Sequence, residues 1–192
     1  MMRIVTGTAK GIRLDTLEGM ETRPTSERVK EAVFSSIQFE ISGKRVLDLF
    51  AGSGQLGLEA MSRGASAAMF IDASPDAMTV VKNNAKKTGF FDKCRYSISD
   101  YRSYIRKAGG RDLWDIIFID PPYKLHLAGD ALDRILKAGI AAPECLLVCE
   151  SEEEDIFGER EDLKAQFDLV KQGKYGIAHI TILRYKGGDD LA

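Results

Sequence analysis

The chain has 192 residues, 44% of them hydrophobic, and a formal net charge of −2 at neutral pH. This length and composition predict one globular domain that buries its own core without disulfides or metals. No apolar run reaches the ~20 residues that span a bilayer, and the N-terminal stretch MMRIVTGTAKG lacks the pattern of a secretory signal. We therefore expect a cytoplasmic protein that does not bind membranes.

The charge is distributed unevenly along the chain. Residues 151–162, SEEEDIFGERED, carry seven acids against one arginine, a local charge of −6 that leaves +4 for the rest. The slightly negative total therefore does not exclude a nucleic-acid partner. We expect the acidic segment to be solvated and turned away from any polyanion.

Cysteines and histidines are few and show no metal-binding spacing. The chain has three cysteines and two histidines, His126 and His179. Cys145 and Cys149 lie in the apolar stretch CLLVCE, where cysteine behaves as a small hydrophobic residue. We predict no metal site.

In chain order, the first predicted elements are a small hairpin and a helix. The hairpin covers RIVTGTAKGIRL, and the helix lies in RPTSERVKEAVFSSI, where Thr25 or Ser26 can serve as its N-cap. The apolar face of this helix consists of Val29, Val33, Phe34 and Ile37. Residues 1–40 form an extension, and residues 41–192 form the core of the predicted single domain 1–192.

From Arg45 onward, short β-rich runs alternate with longer helical ones, which is typical of βαβ units and a mostly parallel sheet. The predicted strands are RVLDLF, AAMFID, CRYSIS, DIIFID and CLLVCE, and the predicted helices are QLGLEAMSRG, PDAMTVVKNNAKKTG, YRSYIRKAG and LAGDALDRILKAG. Three helices end at a glycine: Gly64, Gly89 and Gly139. The tail FDLVKQGKYGIAHITILRYK predicts two antiparallel strands joined at GKYG, at the sheet edge.

A glycine-rich loop follows the first predicted parallel strand. Gly52, Gly54 and Gly57 satisfy G-x-G-x-x-G between a strand and a helix, so the loop predicts nucleotide binding. Asp72 closes the next strand, twenty positions after Gly52, where a carboxylate can accept from ribose hydroxyls. Dinucleotides and S-adenosylmethionine share both features.

Two further acids lie at predicted strand ends. Asp48 precedes the glycine turn, where its negative charge would repel a pyrophosphate and favour a ligand bearing an ammonium and a sulfonium, as S-adenosylmethionine does. Alternatively, Asp48 points to solvent or caps the following loop. Asp100 could accept from an adenine amino group with Tyr101 beside the ring, or it could cap the next helix; the two roles are compatible.

The stretch IIFIDPPYK ends a buried strand at two consecutive prolines. The prolines fix the backbone and leave carbonyls free as acceptors. Asp120 and the Pro121 carbonyl could hold both hydrogens of an exocyclic amine and aim its lone pair at a methyl group, while Tyr123 stacks on the base. A plain proline turn is the structural alternative.

Three other functions are alternatives to the transfer of a methyl group to the exocyclic amine of a guanine. An adenine-N6 or other amino-group DNA or RNA methyltransferase would use the same corner, but DNA enzymes of this type usually carry an added recognition region, and this chain has no room for one. A nicotinamide-dependent dehydrogenase would share the glycine loop but offers no role for DPPY. A non-catalytic RNA-binding module would not need the acid and the ring of this corner.

The segments DLFAGSGQLGLEAMSRGA, FIDPPY and RPTSERVKEAVF together resemble the RsmD family of 16S ribosomal RNA guanine-N2 methyltransferases. The resemblance covers nearly the whole chain. It implies the class I S-adenosyl-L-methionine-dependent methyltransferase fold, a Rossmann-like α/β architecture whose seven-stranded, mostly parallel sheet has an antiparallel C-terminal hairpin. It also implies an rRNA substrate, which could be 16S rRNA or an assembling small ribosomal subunit, and we expect a monomer.

The resemblance also implies roles for individual residues. The catalytic corner is implied to consist of Asp120, Pro121, Pro122 and Tyr123. The cofactor-binding residues are implied to be Asp48, Phe50, Ala51, Gly52, Ser53, Gly54, Leu56, Asp72, Ala73, Ser74, Asp100, Tyr101 and Asp120. Substrate-binding residues are implied to be Arg3, Lys10, Arg13, Arg23, Thr25, Arg28 and Tyr123. The N-terminal hairpin is less rich in glycine and arginine than is usual in the family.

Overall fold

The computed structural model describes residues 2–17, 27–122 and 127–187. The helices are α1 Glu27–Ser36, α2 Gln55–Ser62, α3 Pro75–Thr88, α4 Tyr101–Ala108, α5 Ala128–Ala138 and α6 Glu161–Lys164. The strands are β1 Arg45–Asp48, β2 Ala67–Asp72, β3 Cys94–Ile98, β4 Trp114–Ile119, β5 Ala141–Ser151, β6 Phe167–Tyr175 and β7 Ala178–Tyr185. A short 3-10 helix, Phe91–Lys93, precedes β3.

The seven strands form one sheet in the order β3-β2-β1-β4-β5-β7-β6. The pairs β1–β2, β2–β3 and β4–β5 are parallel, and β7 pairs antiparallel with both β5 and β6. This mixed sheet confirms the predicted fold class. By their internal contacts, residues 1–101 and 102–192 form two compact units, which are described separately below. The single domain over 1–192 stays a prediction.

In the first unit, local signals explain where α3 begins and ends. The Ser74 hydroxyl accepts a hydrogen bond from the Ala77 amide at 3.2 Å, and Pro75 occupies the first turn. Gly89 ends the helix in the left-handed conformation, with φ 78°. The inward face of α3 is formed by Ala77, Met78, Val81, Asn84, Ala85 and Thr88.

The N-terminal hairpin is present but short. A single bridge joins Arg3 to Arg13, and the amide of Ile4 donates to the carbonyl of Ile12 at 3.0 Å. The four residues of the predicted apolar face are buried: Val29, Val33 and Phe34 in α1, and Ile37 directly after it. The predicted cap at Thr25 or Ser26 lies outside the described residues.

In the second unit, β4 and β5 are buried parallel strands, and the antiparallel tail is confirmed. The turn between β6 and β7 falls at residues 176–177, so β6 includes most of the predicted junction GKYG. A register shift between Leu169 and Lys171 interrupts the pairing of β6 with β7. Since β6 is the last strand in the sheet order, it forms one edge.

Burial agrees with two further predictions. All three cysteines are buried and free, as expected of small hydrophobic residues. Residues 152–155 and 159–162 of the acidic segment are exposed, whereas Ile156 is buried beneath them. Among the residues described, no helix has the length and hydropathy needed to cross a membrane.

Candidate functional site

The glycine turn lies between β1 and α2, in the first unit. Gly52 and Gly54 have φ of 54° and 79°, which only glycine adopts without strain. A Cβ added to Gly52 would meet no atom of the described residues within 4 Å, so this part of the backbone faces open space. The N-cap residue of α2, Gly54, has no side chain to accept from the helix amides, and Asp48 accepts from the Gly57 amide in the first turn. The turn therefore leaves the partly exposed backbone of Gly52 and Ser53 accessible to a ligand, while Gly54 is buried.

The third glycine of the motif has a packing role. A Cβ on Gly57 would lie 2.4 Å from Cε1 and 2.7 Å from Cζ of Phe70, a fully buried side chain of β2. Any larger residue would push α2 away from the sheet. The motif thus combines two glycines that shape the turn with one that permits close packing of helix and strand.

Asp72, at the end of β2, holds the glycine turn in place. One carboxylate oxygen accepts from the Gly52 amide and the other from the Ser74 amide, both at 2.8 Å. Each oxygen can accept a further hydrogen bond, so Asp72 can still accept from ribose hydroxyls as predicted. The structure therefore brings together Asp48, Gly52, Gly54 and Asp72 at the carboxyl ends of two adjacent parallel strands.

Asp48 is buried, and its burial weakens the attraction that its charge was expected to exert on a cationic ligand. Its side chain is 2% exposed, and Oδ2 accepts from the Gly57 amide at 3.0 Å. Burial raises the pKa of Asp48 to about 7; the Gly57 hydrogen bond opposes this shift and the charge of Asp72 adds to it. At neutral pH the carboxyl is thus only partly ionised, and the predicted attraction for a cationic ligand is weaker than a full charge would give. Asp48 therefore does not point to solvent, and its hydrogen bond caps the first turn of α2, which follows the loop.

The other predicted cofactor-binding residues, including the two expected at the adenine, differ in exposure. Asp100 is exposed, immediately before α4. Tyr101 is buried, and its ring centre lies 5.0 Å from that of Phe50, with the two planes tilted by 44°. Leu56 is also buried, whereas Ala73 is exposed. Tyr101 is therefore placed by packing against the residue that precedes the glycine turn.

The predicted catalytic corner belongs to the second unit. Asp120 follows β4 directly and is partly exposed, while Pro121 is buried and Pro122 is exposed. The corner thus presents a carboxylate at the carboxyl end of a parallel strand, as predicted. Tyr123 lies outside the described residues. The catalytic roles stay predictions.

Four of the predicted substrate-binding cations lie on the surface: Arg3, Lys10, Arg13 and Arg28. The guanidinium of Arg3 pairs with the carboxylate of Glu27 through contacts of 3.1 and 3.2 Å, so RNA would have to compete with this pair. Arg23 and Thr25 lie outside the described residues.

The first unit contains a buried ionic cluster that the sequence did not predict. Glu59 of α2 is fully buried and accepts from the amides of Val5 and Thr6 at 2.8 and 2.9 Å. It also accepts from Arg63 at 2.9 Å and lies 3.7 Å from the ammonium of buried Lys30. Burial lowers the pKa of Lys30, and the neighbouring Glu59 opposes that shift. The cluster fastens the N-terminal hairpin to α2, and its one sequence signal was a lone carboxylate within the apolar run of that helix.

Comparison with known proteins agrees with this geometry. Residues 2–184 match the family model described as Conserved hypothetical protein 95. The chain is 32% identical over 187 residues to YlbH of Bacillus subtilis (strain 168), covering 97% of this chain and 100% of that protein. It is 34% identical over 156 residues to the ribosomal RNA small subunit methyltransferase D of Escherichia coli (strain K12), covering 80% and 76% of the two chains.

Solved structures show the same relationship. The solved structure of the Escherichia coli protein yhhF matches this chain with a TM-score of 0.83 and 28% sequence identity. The match covers 97% of this chain and 99% of the yhhF chain. The resemblance inferred from the glycine loop, the DPPY corner and the RPT segment is therefore confirmed. The chain belongs to the Conserved hypothetical protein 95 family, which is the RsmD family of rRNA methyltransferases.

Proposed function

We propose that this protein transfers a methyl group from S-adenosyl-L-methionine to the exocyclic N2 amine of a guanine in 16S rRNA. Family membership over residues 2–184, with relatives named small subunit rRNA methyltransferases, supports methyl transfer to rRNA of the small subunit. The guanine-N2 position follows from the resemblance of the motifs to the RsmD family. The observation that carries the proposal is the open glycine turn at Gly52, held by Asp72.

The residues of the first unit fit this cofactor. When bound, S-adenosyl-L-methionine supplies an electrophilic methyl group on a sulfonium. The backbone of residues 52–54 would contact the amino-acid part of the cofactor, and Asp72 would accept from the ribose hydroxyls. Asp100 and Tyr101 would meet the adenine, with Phe50 behind the Tyr101 ring.

The corner in the second unit would act on the target amine. The lone pair of an exocyclic amine is delocalised into its ring, so the amine is a poor nucleophile. The amine would donate one hydrogen bond to the Asp120 carboxylate and one to the Pro121 carbonyl, which would turn its lone pair toward the methyl group, an alignment that supplies several kcal/mol. Tyr123 would stack on the guanine, worth roughly 1–3 kcal/mol.

The substrate follows from the same chemistry. A guanine must leave its stack to enter such a site, and a base in a hairpin loop is extruded at lower cost than one in a duplex. With a net charge of only +4 outside the acidic segment, the protein would recognise the shape of a long rRNA or an assembling small subunit. An rRNA substrate favours a cytoplasmic enzyme, and we expect it to act as a monomer.

Methyl transfer to 16S rRNA from cells that lack this gene tests the proposal. With a labelled methyl donor, the expected product is a single N2-methylguanine, located by digestion and mass spectrometry. RNA from cells that retain the gene is the control and should accept little label. Transfer to the N6 amine of adenine, or to DNA in place of rRNA, would favour the competing amino-methyltransferase. Cofactor binding without transfer to any nucleic acid would contradict enzymatic function.

A further inference from the structure

The side chain of Asn84 is fully buried in α3 and joins two segments that are distant in sequence. Its Oδ1 accepts from the Asp15 amide at 2.8 Å, and its Nδ2 donates to the carbonyls of Asp15 at 3.0 Å and of Ser53 at 2.9 Å. Ser53 lies in the glycine turn, and Asp15 follows the N-terminal hairpin. One amide thus satisfies three backbone groups of two separate segments.

Other contacts support the same connection. The Ser53 hydroxyl donates to the Met2 sulfur at 3.0 Å, so the turn also touches the start of the hairpin. The Lys87 ammonium, one turn after Asn84 on α3, pairs with the Asp15 carboxylate. The hairpin and the glycine turn are therefore held by the same helix and by each other.

The chemistry of this position requires asparagine. A primary amide can donate two hydrogen bonds and accept one in a single plane, as observed here. Aspartate would direct a carboxylate oxygen at two carbonyls, and alanine would remove the partner of three backbone groups. The neighbouring residues on this face of α3 include Ala77, Val81 and Ala85, so Asn84 lies, with Thr88, on a largely apolar surface.

We propose that Asn84 is a positioning residue that couples the N-terminal segment, residues 2–17, to the cofactor turn, so that RNA and cofactor strengthen each other's binding. The inference rests on the proposed function and extends it. The segment carries three exposed cations predicted to contact RNA: Arg3, Lys10 and Arg13. RNA that orders this segment would also order the carbonyl of Ser53, and cofactor bound on the turn would fix Asp15 through the same amide. Linkage requires the two effects to be equal.

The test measures the affinity for labelled S-adenosyl-L-homocysteine, the unreactive product, by equilibrium dialysis with and without 16S rRNA from cells lacking the gene. In the wild type, we expect the RNA to tighten binding by about fivefold or more, the lower end of typical coupling. In Asn84→Ala, we expect the ratio of the two affinities to fall to about one. Asn83→Ala, at the exposed neighbouring asparagine, is the matched control and should keep the wild-type ratio.

The outcomes separate this inference from the proposed function. Coupling that persists in Asn84→Ala, or a wild type that binds both ligands without coupling, overturns the inference and leaves the proposed function standing. A wild type that binds neither ligand overturns both. A merely structural role for Asn84 would lower stability or affinity without changing the ratio.

A second measurement needs no variant. Amide hydrogen exchange of the wild type with and without S-adenosyl-L-homocysteine reports on residues 2–17 directly. We expect the ligand to slow exchange in this segment severalfold, most clearly at Asp15, while the β6–β7 hairpin of the second unit is unchanged. Unaltered exchange across residues 2–17 in the ligand-bound protein would overturn the inference.

Discussion

Replacing Asp48 by asparagine separates the hydrogen bond of this side chain from its charge. The amide oxygen of the introduced side chain can still accept from the Gly57 amide, which Asp48 Oδ2 contacts at 3.0 Å. What the substitution removes is a carboxyl whose pKa is raised by burial from 3.8 to about 7. The pH dependence of stability should therefore change.

The sign follows from proton binding. Between pH 5 and 7 the native state keeps the Asp48 proton, whereas the unfolded chain has already released it, so the free energy of unfolding falls as pH rises. About two pH units at roughly 1.4 kcal/mol each give a loss of about 3 kcal/mol. Above pH 7 the carboxyl is ionised in both states and the loss is complete.

Urea unfolding at pH 5, 6, 7 and 8 measures this effect. We expect the wild type to lose about 3 kcal/mol more stability than Asp48→Asn between pH 5 and pH 8. Other titrating groups contribute equally to both proteins, so the difference between the two curves isolates residue 48. Parallel curves would refute the argument that Asp48 is a buried, largely protonated carboxyl below pH 7.

Three further predictions concern packing, the buried ionic cluster and thiols. Gly57→Ala should destabilise the protein by about 1–3 kcal/mol despite the better helix propensity of alanine, because its Cβ overlaps Phe70; Phe70→Leu in the same chain should recover part of the loss in thermal unfolding. Glu59→Ala should cost about 3–5 kcal/mol, because it leaves the Lys30 ammonium buried without its carboxylate and removes the acceptor of the Val5 and Thr6 amides; an equal loss in a variant with Lys30→Met added would contradict the contribution of Lys30. Burial raises the pKa of Cys149 to about 12, so this thiol should resist alkylation at pH 8 until urea unfolds the chain; rapid labelling of the native protein would refute its burial.

The sequence predicted the glycine turn well because each part of it has a local cause. Positive φ at Gly52 and Gly54 requires glycine, and Asp72 lies at the next strand end, where a parallel sheet must place it. The helix ends at Gly89 and Gly139 were predictable for the same reason, since both adopt the left-handed conformation. Local backbone requirements of this kind leave a direct trace in residue type.

Burial of charged and polar groups could not be predicted in the same way. Lys30 and Glu59 belong to residue types that are normally exposed, and their pairing depends on where α1 meets α2. The charge state of Asp48 likewise depends on surrounding atoms from β2 and α2, which no local pattern specifies. Asn84 left one usable signal, a polar residue on the apolar face of α3, but its partners at Asp15 and Ser53 are distant in sequence.

The central proposal gives the two carboxylates different roles: Asp120 would act on the target amine, and Asp72 would hold the cofactor. The direct test compares Asp120→Ala with Asp72→Ala in two assays, methyl transfer to 16S rRNA and affinity for S-adenosyl-L-homocysteine. Asp120→Ala should abolish transfer and leave the affinity nearly unchanged, whereas Asp72→Ala should weaken the affinity by about tenfold or more, the loss of a charge-assisted hydrogen bond. Near-normal turnover by Asp120→Ala would contradict the account.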